Sequence, residues 1–154
     1  MGSNQILLIV LGVIVVGVGV TMGFAMFTNT SFNNNKQSTA TEMQTYVLQL
    51  IHFWDTTVDL GGASSLINNV TVAKITIYLG FTGANNSLTS ANGQFRVISV
   101  VTASPYATLT LKALGNSKKG SKYPLITTTI KFTESSSSDI RPIVTTTLGS
   151  AATF

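Results

Sequence analysis

The chain has 154 residues, enough for one domain or for one domain with an appendage. It carries nine basic and five acidic side chains, one histidine and no cysteine, for a net charge of +4. Disulfides, thiolate metal sites and cysteine nucleophiles are therefore excluded. Charged residues make up only 9% of the chain, and Thr, Ser and Asn supply most of its polarity. A surface of hydroxyls and amides fits an extracellular or packed fibrous setting better than a cytoplasmic one, where Lys and Glu usually keep proteins soluble.

The apolar residues are unevenly spread. The first charged side chain is Lys36, and from Ile6 to Phe27 the only polar side chain is Thr21. As a helix this stretch reaches roughly 33 Å, enough to cross a bilayer's hydrocarbon core. Val and Ile weaken a helix in water, but in lipid the backbone must bond to itself, so helix is expected. Gly12, Gly17, Gly19 and Gly23 interrupt the run. Gly19 and Gly23 have the four-residue spacing that lets a second helix approach closely. A cleaved signal peptide fits poorly, because the segment has no basic start, is too long and ends in a weak cleavage site. Myristoylation is excluded because Ile6 stands where Ser or Thr is required. A plain single-span anchor normally has flanking positive charge, which is absent here.

Met1-Gly-Ser-Asn-Gln5 followed by Ile-Leu-Leu-Ile-Val-Leu-Gly-Val-Ile-Val-Val-Gly17 resembles the start of a mature type IV pilin. The resemblance covers about the first 55 residues in pattern. It implies an apolar helix that packs with its copies as a filament core and continues into a β-rich head. In that family a glutamate at the fifth mature position neutralises the amino group of a neighbouring subunit. Counted from Met1, Gln5 stands there instead. An amide can accept a hydrogen bond from an ammonium but cannot cancel its charge. The resemblance thus assigns Met1 and Gln5 to a polar contact between subunits, Ile6–Phe27 to core packing, and the four glycines to close approach or local unwinding.

Thr28–Thr41 is polar, and its Asn33-Asn34-Asn35 run suggests either a helix break or a polar helical face. Beyond it, Met43, Tyr46, Val47, Leu50, Phe53 and Trp54 recur at helical spacing, predicting an amphipathic helix over about 36–57. Thr39-Ala-Thr-Glu42 has the spacing of a capping box at its start. Tyr46, Phe53 and Trp54 are expected in the core. The chain thus divides into 1–27, an apolar membrane or filament-core helix; 28–57, a polar connection and amphipathic helix; and 58–154, a β-rich head.

In the head, Asp59–Ser65 reads as a loop. Alternating runs at Val70–Leu79, Phe95–Thr102, Ala107–Leu114, Leu125–Thr133 and Ile143–Leu148 read as strands, with a turn at Ser104-Pro105-Tyr106. Alternation predicts antiparallel strands with one buried face. The expected fold class is α+β: a long N-terminal helix packed on a sheet of four or five antiparallel strands. Lys118, Lys119 and Lys122 lie among Gly and Ser and read as a solvated hairpin tip. No aromatic platform accompanies them, so no nucleic-acid partner is expected.

Little in the sequence points to catalysis. His52 is the only histidine, three residues before Asp55, and reads as a structural, hydrogen-bonded residue. The acids Glu42, Asp55, Asp59, Glu134 and Asp139 are too dispersed for a metal site, and no phosphate cradle is present. No cofactor or metal is expected. Asn29, Asn69 and Asn85 lie in N-x-S/T sequons, at a density that chance also produces, and the Ser135–Ser138 run is a candidate for O-glycans.

These features together predict a non-enzymatic filament subunit. By the resemblance, its partners are identical subunits in a helical homopolymer. It sits in the inner membrane before assembly and at the cell surface afterwards, serving attachment or twitching-type motility. The alternatives are a single-span membrane-anchored binding module or a minor pseudopilin of a secretion system.

Overall fold

A computed structural model of the chain describes residues 2–134 and 142–154. Its longest element is α1, a single helix over Ser3–Asp55. At 1.5 Å per residue it is about 80 Å long. It passes unbroken through the Asn33–Asn35 run, so the helix break and the separate capping box at Thr39 and Glu42 are both corrected. Thr39 is instead a buried interior residue of α1, and Glu42 reaches across to the sheet. The 27/28 boundary falls inside this helix. The end of α1 is closed by the chain behind it: Ala63 N and Ser65 N donate to the carbonyls of Phe53 and Trp54, both at 2.9 Å.

The head is a five-stranded antiparallel sheet in the order β1-β2-β3-β4-β5. Its strands are β1 Ser87–Thr89, β2 Gly93–Ala103, β3 Tyr106–Gly115, β4 Tyr123–Thr133 and β5 Ile143–Ala151. The four longer strands lie where alternation placed them. In β4 Ile126, Thr128, Ile130 and Phe132 are buried, the face read from the sequence, and Pro124 and Thr133 at its ends are buried too. Consecutive strands pair by hairpins, so the sheet is a plain meander. Lys118, Lys119 and Lys122 occupy the β3–β4 tip, where Lys119 and Lys122 form a small antiparallel bridge.

One face of the sheet carries the core. Met43, Leu50, Phe53 and Trp54 of α1 meet Phe95, Leu109, Leu111, Ile126, Ile130 and Phe132, all essentially without solvent contact. Trp54 stacks on Phe132 with centroids 5.0 Å apart. Tyr46 is half-buried and sits edge-on to Phe81 and Phe95.

The segment Val70–Leu79 is not a strand. Val72–Leu79 is a helix, α2. Ile75, Thr76 and Leu79 are buried and Val72 is half-buried, a three-and-four spacing, while Ile77 is 81% exposed. Thr71 caps the start, accepting from Lys74 N at 3.3 Å, and Gly80 ends the helix at φ +71°. The Ile75/Ile77/Leu79 alternation was a coincidence of spacing. A strand would place Ile75 and Ile77 on one face, and a helix separates them. Accordingly, Ile77→Asp should leave thermal stability nearly unchanged while Ile75→Asp unfolds the head. Equal effects in a melting experiment would contradict the helix.

Candidate functional site

The feature that calls for a function is the N-terminal half of α1. From Gly2 to Phe27 every residue is exposed, and the most apolar 18-residue window of α1 is 0% buried. Its length and composition suffice to cross a membrane. Ordinary folding would hide such a surface, yet the head covers none of it.

The glycines are distributed by face. At about 100° per residue, Gly12, Gly19 and Gly23 lie within about 40° of one another around the axis, and Gln5 joins them. Gly17 lies well off this line. The buried residues Phe32, Thr39, Met43 and Leu50 of α1 project from the opposite side. The stripe of Gln5, Gly12, Gly19 and Gly23 therefore faces away from the head. A β-carbon built on any of the four glycines meets nothing within 4 Å, so none is required by packing inside the single chain. Gln5 is exposed in the first turn, where its N–H donates to Gly2 O at 2.9 Å. Met1 lies outside the described residues.

Where α1 enters the head, a polar joint fixes it. Asn35 Nδ2 donates to Asn92 O at 2.8 Å, and Asn35 Oδ1 accepts from Ser117 N at 3.0 Å. Gly115 allows this approach, since a β-carbon there would collide with Asn35 Oδ1 and crowd Pro124. Thr39 Oγ1 lies 2.7 Å from Asn35 O and 3.1 Å from Asn92 O. One turn on, Glu42 Oε2 accepts from Ser90 Oγ and Asn92 Nδ2, both at 2.9 Å, and Oε1 accepts from Tyr46 Oη at 3.1 Å. The Asn run is thus a polar helical face at Asn35, and Glu42 ties the β1–β2 turn to the helix. Neither role was legible beforehand, because the partners Ser90, Asn92 and Ser117 lie 48 to 82 residues away along the chain.

Burial pushes the Tyr46 hydroxyl up to about 12, helped by the Glu42 charge and by the hydrogen bond to it. Above its ordinary value near 10 the unfolded state loses this proton while the folded state keeps it. Folding therefore weakens as pH rises from about 10 to about 12. Tyr46→Phe should flatten that part of the stability-against-pH curve; an unchanged slope would remove Tyr46 from the joint. Glu42→Ala removes three charge-assisted bonds and should cost about 2–4 kcal/mol in urea unfolding of the detergent-solubilised chain. A loss below about 0.5 kcal/mol would make the joint incidental.

The remaining candidates are dispersed. His52 is exposed, with Nδ1 3.2 Å from Thr56 Oγ1. Among the described residues no three His, Asp or Glu side chains gather as metal ligands. Asn29 and Asn85 are exposed. Asn69 is half-buried, its Nδ2 donating to Ala63 O at 3.1 Å and its Oδ1 accepting from Lys74 Nζ. Ser135–Ser138 lies outside the described residues. Comparison with known protein families, with curated proteins and with solved structures returned no match.

Proposed function

We propose that this chain is the structural subunit of a type IV pilus-like filament, held in a membrane by α1 before assembly and polymerising through the same helix. The observation that carries this reading is the division of α1 by face and by half. Its exposed apolar half puts Gly12, Gly19 and Gly23 on the side turned away from the head. Helices packed about a common axis need close backbone approach on the inner side and bulk on the outer side. A head docked on the outer side then forms a shell around the helical core. Association of identical copies by a contact that does not close generates an open fibre.

Gln5 shares the inward side and supplies an amide to a neighbouring chain. Attachment or surface motility follows as the use of such a fibre, by likeness to pilins alone.

Gly19→Leu with Gly23→Leu separates the roles. Replacing glycine by leucine favours helix by roughly 1 kcal/mol per site, and the single chain has room for both side chains. The head should melt unchanged while sheared surface fibres disappear. Fibres at wild-type yield from the double variant would overturn the close-approach role of that face.

A further inference from the structure

Among the described residues, the sheet ends on an uncovered strand. β5 pairs with β4 on one side, and Ile143–Ser150 is exposed throughout. Over Ile143–Ala151 it carries neither charge nor proline. Edge strands of that length are usually blunted by lysine, proline, a bulge or a covering segment. On the helix side, Val144 and Leu148 join Val47, Leu48 and Ile51 around an open, largely apolar groove of about 590 Å³.

The opposite edge is half open too. β1 covers β2 only from Gln94 to Arg96, and Val97 N is bonded to Asn86 O. Past the irregularity between Val97 and Ser99, the stretch Ile98–Ala103 has no outer backbone partner among the described residues, and it is also uncharged.

Strand direction decides which edges can meet. β2 starts beside Asn35 and β4 ends beside Trp54, so both run the same way as α1. β3 and β5 run back toward the apolar half. Copies whose α1 helices enter one membrane in one sense stand with their heads the same way up. This premise rests on the filament reading above. Antiparallel pairing of β5 with a second β5 would invert one head and point its helix away from the membrane. Pairing of β5 with the open part of a neighbour's β2 is antiparallel with both heads upright.

We propose that β5 of one copy pairs with Ile98–Ala103 of the next, so that the sheets join edge to edge around the assembly. The contact is heterologous and repeats without closing on itself. The pleat agrees. Ile143 stands level with Val101 across the sheet, through Lys131 and Thr108, and Val144 stands level with Val100, through Ile130 and Leu109. Val100 packs against the core and Val144 lines the groove, so both lie on the helix-bearing face. Level pairing, or a shift of two residues, keeps every side chain on its proper face. With the shift, five residues from Ser99 to Ala103 pair with Ile143–Thr147 over roughly 17 Å.

The absence of cysteine makes the test direct. One chain carries Val101→Cys with Ile143→Cys for the level register, and another Val101→Cys with Thr145→Cys for the shifted one. Mild oxidation of intact cells should give a ladder of disulfide-linked dimers, trimers and longer species for one of them. No ladder from either chain, or a dimer from Thr145→Cys alone, would overturn the pairing. Independently, Thr145→Lys should abolish sheared fibres and Val101→Glu in the same chain should restore them. Wild-type yield from Thr145→Lys would also overturn it. Wild-type fibres without a ladder reject the edge contact and leave the filament intact. A ladder in cells that make no fibres upholds the edge contact and rejects the filament.

Discussion

Water cannot be the final surroundings of residues 6–27. Every large apolar side chain there is exposed, from Ile6 at 54% to Phe27 at 71%. Covering one such side chain is worth about 1.5–3 kcal/mol, so covering the whole segment is worth some tens of kcal/mol. That exceeds the roughly 5–15 kcal/mol by which a domain holds itself together. Whatever surrounds this helix governs the chain's behaviour more than the stability of the head does. Lipid and other copies of the helix both satisfy the demand, and the backbone is content in either, since the helix bonds to itself.

The rest of the molecule is arranged around that demand. α1 continues from the apolar half into the head as one rod, and the joint at Asn35, Thr39 and Glu42 locks sheet to rod where the two first meet. A single continuous helix carries both the apolar end and the docking face of the head. Asn35, which would weaken an isolated helix, has distant partners in Asn92 and Ser117, and Glu42 has Ser90 and Asn92. The same economy of charge leaves β5 and the far part of β2 bare among the described residues, edges of a kind that free soluble proteins usually protect.

Much of this was legible in the residues. The apolar half, the amphipathic stripe from Met43 to Trp54, the four long strands and the lysine tip all follow from local periodicity and turn chemistry. The failures have physical causes. Val72–Leu79 alternates by accident, and the helical signals that contradict it, Thr71 as a cap and Gly80 as a left-handed stop, were outweighed by four β-branched residues, Val72, Ile75, Thr76 and Ile77. Within the Asn33–Asn35 run, Asn35 is tied to the head by tertiary hydrogen bonds, which no local pattern encodes. The orientation of Gly12, Gly19 and Gly23 away from the head required knowing that one uninterrupted helix carries both the glycines and the docking face.

Direct imaging of material sheared from cells tests the central claim, that α1 finds its cover in other copies of itself. The expected result is fibres built of this single polypeptide, with helical density along the axis and the β heads outside. A chain found only as monomer in detergent-solubilised membrane, with no fibres, would contradict it.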